Sequence, residues 1–215
     1  MQPYDTNAAL AKLRSRSSLF SPQPSELDRL LSQLRTAAQQ GLHLGCGATH
    51  LDGMINCDLF HPDADLKIDA TDLSGFADGS VDMIETHHML EHFSIKEAPL
   101  ALAEWHRALA PGGILVLSCP DLTKVCMKWL MYSLSYPFTR FNKKLADIVD
   151  GTRDYIIRMF VGPQDYEGML HKSAYDKHQL RRLVEASRFE VISLTSGYPA
   201  RPTPSLFLIA RKPAA

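Results

Sequence analysis

The sequence predicts an α/β fold, a seven-stranded sheet with helices on both faces. Short apolar segments bounded by Gly, Asp or Pro recur along residues 41–211, and segments with apolar residues at helical spacing separate several of them. Strands this short and apolar are typical of parallel strands buried on both faces. Alternating strands and helices then predict a mainly parallel sheet with right-handed crossovers. Only a short Gly/Pro loop joins the last two strands, which predicts an antiparallel pair at the edge.

A helical segment, residues 1–40, precedes the main domain at residues 41–215. Ser25 ends the turn-forming sequence SPQPS and can cap a helix, because its hydroxyl can accept a hydrogen bond from the first turn. Apolar residues then recur at helical spacing, which predicts one buried face. They are Leu27, Leu30, Leu31, Leu34, Ala37 and Ala38.

Seven segments of the main domain are predicted to be strands. They are Gly41–Leu44, Met54–Asp58, Leu66–Asp69, Val81–Glu85, Ile114–Cys119, Glu190–Ser196 and Ser205–Arg211. A helix is predicted between Glu97 and Leu109, where apolar residues repeat at helical spacing until Pro111-Gly112-Gly113 ends it. Another is predicted to begin at Asp176, with Gln179 placed for a capping box.

Composition and charge disfavour several kinds of partner. The 215 residues carry a formal net charge of -1 with acids and bases interspersed, which disfavours nucleic acid and an anionic membrane surface as partners. No apolar run approaches membrane-spanning length. The four cysteines form no CxxC pair, which favours reduced thiols, a cytoplasmic protein and no cysteine-bound metal.

A glycine turn follows the first predicted strand. Gly45 and Gly47 remove side chains where a ligand must approach the backbone, and a helix following the turn would present free N–H groups. Asp58 ends the second strand, where a carboxylate can accept hydrogen bonds from both hydroxyls of a ribose. Asp69 and Ala70 end the third, where an adenine edge would lie. The alternative, a tight turn that binds nothing, becomes less favoured because three consecutive strand ends have fitting chemistry.

Four sequence segments within residues 41–122 give the chain a specific resemblance. LHLGCG, DATDLSGFADGSVDMI, HMLEHF and EWHRALAPGGILVLSCPDL occur in the order found in class I S-adenosylmethionine-dependent methyltransferases of the small methyltransferase-domain type, which the chain resembles. Residues 173–211 are similar to the final helix and two strands of that family. One position departs: the family usually has an acid two residues before the first glycine, and this chain has His43.

The resemblance implies a Rossmann-like sheet with strand order 3-2-1-4-5-7-6 and strand 7 antiparallel, and a cofactor-binding crevice at the carboxyl ends of strands 1 and 4. The implied cofactor is S-adenosylmethionine, with S-adenosylhomocysteine as product. By resemblance, its methionyl part would contact Gly45, Cys46 and Gly47, and its ribose would contact Asp58 and Leu59. Its adenine would contact Asp69 and Ala70, and its sulfonium would lie near Thr86 and His87.

A histidine-rich segment follows the fourth strand and permits three interpretations. His88-Met-Leu-Glu91-His92 matches the HxxEH pattern of inverted zinc peptidases, but we expect no metal because the segment follows a buried strand at the spacing of the family's HxLEH sequence. Glu91 and His92 could instead orient the turn and cap the next helix. A histidine facing the crevice could accept a proton, since imidazole titrates near neutral pH. The candidate proton acceptors are His87, His88 and His171.

Residues 121–172 form an insertion longer than a plain crossover and rich in aromatic residues. It predicts either a helical cap over the methyl acceptor or helices that cover the sheet edge or form a homodimer contact. We favour the cap, because the insertion emerges beside the fifth strand at the cofactor end of the sheet. Candidate acceptor contacts are Asp121, His171, Lys172 and Tyr175.

These observations predict an enzyme that transfers a methyl group to a small-molecule or sugar acceptor by in-line displacement, with O- or N-methylation favoured. The reaction requires little acid–base chemistry beyond holding the nucleophile, methyl group and sulfur in line. The alternative is a non-catalytic S-adenosylmethionine-binding regulatory or partner protein, which the departure at His43 permits.

Overall fold

The computed structural model describes residues 24–139, 154–165, 167–198 and 201–214. Residues 1–23 of the predicted N-terminal segment and 140–153 of the predicted cap lie outside these ranges. The helices are α1 (Pro24–Ala37), α2 (Glu97–Ala108), α3 (Leu122–Thr139) and α4 (Lys177–Ala186), with a further helical stretch at 154–161 and 3-10 turns at Leu90–His92 and Glu167–Met169. The strands are β1 (Gly41–Leu44), β2 (Ile55–Cys57), β3 (Val81–His87), β4 (Leu109–Pro120), β5 (Glu190–Tyr198) and β6 (Arg201–Arg211).

The six strands form one sheet in the order β2-β1-β3-β4-β6-β5. The pairs β1–β2, β1–β3 and β3–β4 are parallel, whereas β6 runs antiparallel to both β4 and β5. Helices lie on both faces, so the predicted fold class and the antiparallel position of the last strand are confirmed. The helix predicted at Asp176 is also confirmed, because Asp176 and Gln179 form the capping box.

The prediction of a third strand at Leu66–Asp69 is wrong. Leu66 forms only an isolated parallel bridge with Cys57. The chain turns away soon after it, because the Asp69 carboxylate accepts hydrogen bonds from the Thr71 amide and hydroxyl at 2.8 and 2.7 Å. The sheet therefore has six strands, although this segment keeps its place beside β2.

The prediction of a helix after the glycine turn is also wrong. Residues 45–54 connect β1 to β2 through turns, whereas a parallel crossover usually contains a dozen or more residues and a helix. Helix α1 covers this face of the sheet instead. Its predicted apolar stripe is buried with side chains from the connection and from four strands: Leu27, Leu30, Leu31 and Leu34 pack with Met54, Met83, Ile114, Val116, Ile192, Phe207 and Ile209.

On the opposite face, α2 packs over the sheet and holds the loop that follows residue 69. The buried Trp105 side chain donates a hydrogen bond from Nε1 to the Ala70 carbonyl at 2.7 Å. Arg107 donates to the carbonyls of Leu73 and Phe76, both at 2.9 Å, and the Glu104 carboxylate accepts from the Leu73 amide at 2.9 Å. Three side chains of one helix thus determine where the loop lies.

A buried ion pair attaches α1 to the sheet. Arg35 donates two hydrogen bonds to the Glu85 carboxylate, from Nε to Oε2 at 2.7 Å and from an Nη to Oε1 at 2.6 Å. Glu85 is completely buried and also contacts His87 Nε2 at 2.7 Å. Burial raises the pKa of Glu85, but hydrogen bonds from Arg35 and His87 outweigh it and lower the pKa to about 2. The carboxylate is therefore ionised and fully paired at neutral pH.

No helix in the described ranges is long and apolar enough to span a bilayer. All four cysteines are free thiols; Cys46, Cys57 and Cys119 are buried and Cys126 is exposed. Burial is the main cause that raises the pKa of Cys57 to about 12, so this thiol stays protonated.

We expect Arg35→Met to reduce the free energy of unfolding by about 3 to 5 kcal/mol, because it leaves the Glu85 carboxylate buried without its main partner. Urea denaturation measures the change. Arg181→Met is the matched control, since Arg181 pairs with Glu185 at 3.1 Å on the surface and exposed pairs contribute at most about 1 kcal/mol. Equal losses in the two variants would contradict a structural role for the buried pair.

The lowered pKa of Glu85 also predicts how stability depends on pH. The folded-state pKa lies below the ordinary value of 4.5, so the contribution of this carboxylate is complete above pH 4.5 and is lost as pH falls toward 2. Between these values we expect the stability of the wild-type protein to fall more steeply than that of Glu85→Gln. Urea denaturation at a series of pH values compares the slopes, and parallel slopes would show that Glu85 is not responsible.

Candidate functional site

A cavity of about 390 Å³ opens at the carboxyl ends of β1, β2 and β3. Its wall comes from the glycine turn, the two loops after β2, the 3-10 turn with the start of α2, and the end of the 121–172 insertion. The lining residues are Leu44, Gly45, Gly47, Cys57, Asp58, Leu59, Phe60, Ile68, Asp69, Ala70, Thr71, His88, Met89, His92, Phe93, Glu97, Gly168, Met169 and Lys172.

The glycine turn brings backbone to the cavity wall. Gly45 and Gly47 have φ values of 67° and 51°, in the left-handed region that favours glycine. The Cys46 amide donates to the Cys57 carbonyl at 3.0 Å, which continues the β1–β2 pairing into the turn. A Cβ atom on Gly45 would lie 2.7 Å from the Met89 sulfur, so a larger residue here would force Met89 to move.

Asp58 connects the glycine turn to the loop after β2. Its Oδ2 accepts a hydrogen bond from the Gly47 amide at 2.9 Å, and its Oδ1 accepts from the amides of Phe60 and His61 at 2.8 and 2.9 Å. Burial raises the pKa of Asp58, but the three backbone donors together outweigh it and the pKa is lowered. An ionised carboxylate with remaining lone pairs therefore faces the cavity.

Asp69 and Ala70 line the cavity as well, as does Leu59. The Asp69 carboxylate shapes its own turn through Thr71, and Ala70 is held by the hydrogen bond from Trp105. The structure thus brings together six of the nine predicted cofactor residues: Gly45, Gly47, Asp58, Leu59, Asp69 and Ala70.

The other three predicted cofactor residues, Cys46, Thr86 and His87, do not line this cavity. The Cys46 side chain is buried and its thiol donates to the Gly47 carbonyl at 3.4 Å. Thr86 is completely buried, and its hydroxyl has no hydrogen-bond partner among the described residues. His87 lies between Glu85 Oε1 at 2.7 Å and Ser118 Oγ at 2.9 Å, on the face that α1 covers.

His43 occupies the position where the sequence departs from the family. It is 2% exposed, and its Nδ1 lies 3.1 Å from Asn56 Oδ1. Burial is the main cause that lowers the pKa of His43, which keeps the ring neutral at pH 7. Neutral His43 donates from Nδ1 to an amide oxygen that also accepts from the Leu51 amide, so it stabilises the β1–β2 connection.

The histidine-rich segment is not an α-helix. His88 has a φ of 53°, and residues Leu90–His92 form a 3-10 turn, so His88 and His92 do not have the helical i, i+4 arrangement that the zinc-peptidase motif requires. His88 lines the cavity, with Nδ1 at 3.1 Å from Glu91 Oε1 and Nε2 at 3.1 Å from Ser205 Oγ. A non-glycine residue with positive φ beside a cavity is typical of functional sites.

His171 lies behind the cavity wall beside Glu91. Its Nε2 is 4.0 Å from Glu91 Oε1, and its ring packs edge-on against His92 with centroids 4.9 Å apart. Burial is the main cause that lowers the pKa of His171. The amides of Lys172 and Ser173 donate to the Glu91 carbonyl at 2.8 and 3.1 Å, which fixes the end of the insertion to the 3-10 turn.

Of the four candidate acceptor contacts, only Lys172 lines the cavity, where its Nζ lies 3.9 Å from Glu97 Oε2. Asp121 instead caps α3, because its carboxylate accepts from the Lys124 amide at 3.2 Å and from the Ser196 hydroxyl. Tyr175 is buried and its hydroxyl accepts a hydrogen bond from Ser173 Oγ at 3.0 Å. Both residues lie where the insertion leaves and rejoins the sheet.

Several residues that line the cavity were not predicted from the sequence. Met89 and Phe93 belong to the histidine-rich segment, whose resemblance could have indicated them. Gly168 and Met169 come from the insertion, which has no motif or spacing that would indicate a site.

Comparisons with known proteins give a family match and similar folds. Residues 52–117 match the family model described as a methyltransferase domain. Among solved structures, the chain is similar to an S-adenosylmethionine-dependent methyltransferase from Archaeoglobus fulgidus, with a TM-score of 0.55 and 14% identity over 88% of this chain and 92% of that one. No curated protein sequence matches the chain.

Two further structures are similar. A Methanosarcina mazei S-adenosylmethionine-dependent methyltransferase has a TM-score of 0.54 and 17% identity over 82% of this chain and 93% of that one. A Haloferax volcanii methyltransferase solved in complex with the Trm112 methyltransferase activator has a TM-score of 0.50 and 14% identity over 97% of this chain and 98% of that one. At these identities the structures show the shared fold, so the fold that the resemblance implied is confirmed, and the methyltransferase-domain match at residues 52–117 agrees with the resemblance.

We expect Asp58→Ala to weaken S-adenosylmethionine binding by about 1 to 3 kcal/mol, the scale of losing a charged hydrogen-bonding partner. The variant also releases the Gly47 amide, so circular dichroism must show that it is folded. Calorimetric titration measures the affinity. Asp63→Ala removes an exposed carboxylate of the same loop and is expected to bind as the wild type does; unchanged affinity of Asp58→Ala would reject the contact.

Proposed function

We propose that this chain is a class I S-adenosylmethionine-dependent methyltransferase that transfers the methyl group of that cofactor to an oxygen or nitrogen atom of a small-molecule acceptor. The observation that carries the proposal is the cavity at the strand ends, where a glycine turn, Asp58 and the Asp69–Ala70 loop meet. Its volume of about 390 Å³ lies within the range of about 300 to 1,000 Å³ typical of small-molecule sites.

The residues present fit the cofactor. Glycine at position 45 leaves the wall open, since a Cβ there would meet Met89, and the Asp58 carboxylate offers lone pairs to the ribose hydroxyls. In this proposal Gly45 and Gly47 bind the methionyl part, Asp58 and Leu59 the ribose, and Asp69 and Ala70 the adenine. The cofactor supplies a methyl group that is already activated, so the protein mainly positions the acceptor in line with it.

The acceptor would bind beside residues 168–172. Gly168, Met169 and Lys172 reach the cavity from the insertion at 121–172, which supports its role as a cap within a main domain at 41–215. Lys172 and Glu97 place one positive and one negative side chain on this wall, which suits a polar acceptor such as a sugar. The net charge of -1 favours neither nucleic acid nor an anionic membrane surface.

His88 is the proton acceptor that the geometry favours for a hydroxyl substrate. It lines the cavity, and Glu91 Oε1 lies 3.1 Å from Nδ1, where a carboxylate can orient the ring and stabilise its protonated form. Nε2 already has a hydroxyl partner in Ser205, so an acceptor hydroxyl would take the place of that contact. His87 and His171 are less favoured, because neither lines the cavity.

The four free thiols further support a reducing compartment, and we place the reaction in the cytoplasm.

The reaction is tested by incubating the purified protein with S-adenosylmethionine and a panel of small hydroxyl, amine and sugar acceptors, with S-adenosylhomocysteine formation as readout. We expect release that depends on one class of acceptor. Calorimetry with both nucleosides provides the control. Binding without release across the panel would support the non-catalytic alternative, and binding of neither would overturn the cofactor assignment.

With a hydroxyl acceptor, we expect His88→Gln to lower kcat by about 10² to 10⁴, the usual contribution of general base catalysis. Cofactor affinity should stay within about threefold, because the variant retains hydrogen-bonding capacity at the cavity wall. His178→Gln removes an exposed histidine of α4 and serves as the control. A kcat in His88→Gln equal to that of the control would assign the proton transfer elsewhere.

A further inference from the structure

Glu91, His92 and His171 converge beside the cavity. One ligand atom from each lies within 4.8 Å of the other two, and His171 Nε2 is 4.0 Å from Glu91 Oε1. Glu91 and His171 are 1% and 8% exposed at their side chains, whereas His92 is half-buried and lines the cavity. The residues come from the 3-10 turn and from the end of the insertion, so only the tertiary fold brings them together.

The hydrogen bonds around this cluster leave lone pairs that face one another. His171 donates from Nδ1 to the Met159 carbonyl at 3.0 Å, and His92 donates from Nδ1 to the Leu170 carbonyl at 3.2 Å. A neutral ring that donates from Nδ1 has its lone pair on Nε2. Glu91 Oε1 accepts from His88, but the buried Oε2 has no hydrogen-bond partner among the described residues. A buried carboxylate oxygen without a donor is unfavourable, and a cation held between it and the two imidazole lone pairs would remove that cost.

We propose that Glu91, His92 and His171 bind a first-row divalent transition-metal ion. Two imidazole nitrogens and one carboxylate oxygen suit Zn²⁺, Mn²⁺, Fe²⁺ or Co²⁺, whereas Mg²⁺ and Ca²⁺ prefer oxygen ligands. A carbonyl that fixes the second nitrogen of each histidine is the arrangement that orients metal-binding imidazoles. The site differs from the HxxEH motif. His88 is not one of its ligands and only contacts Glu91, whereas the ligand His171 is distant in sequence.

The spacing requires a small adjustment on binding. Zinc bonds of about 2.0 to 2.2 Å hold ligand atoms about 3.0 to 3.6 Å apart, so the side chains must close by about 1 Å. His92 is half-buried and, unlike the other two residues, lines the cavity, so most of this adjustment would fall on its side chain. With three protein ligands, further coordination positions remain for water or for a donor atom in the adjoining cavity.

Metal binding is tested on untagged, full-length protein that has been treated with a chelator and dialysed. Calorimetric titration should show one Zn²⁺ per chain, and a Co²⁺ complex should show the absorption of a site with nitrogen and oxygen ligands. We expect His92→Gln and His171→Gln each to weaken Zn²⁺ binding at least ~10-fold. His178→Gln, an exposed histidine on α4, should bind as the wild type does.

The proposal is overturned if the wild type binds no stoichiometric Zn²⁺, if Mg²⁺ binds equally well, or if both cluster variants retain wild-type affinity. If His171→Gln does not fold, His92→Gln decides, since its side chain is half-buried at the cavity wall. The titration contains neither cofactor nor acceptor, so its result is independent of whether the proposed methyl transfer is found.

Discussion

The connection between β1 and β2 is the constraint on which the rest of the structure depends. Residues 45–54 link two parallel strands without a helix. A crossover helix would satisfy the hydrogen bonds of its own backbone and would cover one face of the sheet, so both must be provided in another way. The backbone of the connection needs hydrogen-bond partners, and one face of the sheet needs a cover. Asp58 and Asn56 meet the first need by bonding to the amides of Gly47 and Leu51. Helix α1 meets the second, and the Arg35–Glu85 pair attaches it.

The fold contains two sets of buried polar side chains, one on the face that α1 covers and one beside the cavity. The α1 face contains a buried polar set in which Glu85, His87 and Ser118 are hydrogen-bonded in sequence, with His43 nearby at a ring separation of 6.1 Å from His87. The cavity side contains the second set, centred on Glu91. The first set is satisfied among the described contacts, whereas the second retains an unpartnered buried oxygen. That difference is why we assign structure to the first set and chemistry to the second.

Most of the architecture follows from local patterns. The stripe Leu27 to Leu34 predicted α1, the capping box at Asp176 predicted α4, and alternating strands and helices predicted a mainly parallel sheet. Its strand order was implied by the family resemblance. Both failures occurred where local pattern and tertiary context disagree. Leu66–Asp69 is apolar enough for a strand, but Asp69 bonds to Thr71 and turns the chain. The glycine turn suggested a following helix, but the connection to β2 is too short to contain one.

The sequence by itself determined the fold class and the cavity residues at the ends of β1 and β2, because these depend on glycine conformation and strand periodicity close in the chain. Only the tertiary structure decided which of the histidines and of the insertion residues face the cavity. It placed His87 and Asp121 in structural hydrogen bonds, and it brought His171 and Lys172 to Glu91 across a long insertion. Side-chain direction at a strand end and contacts between distant segments depend on packing, which no spacing in the sequence records.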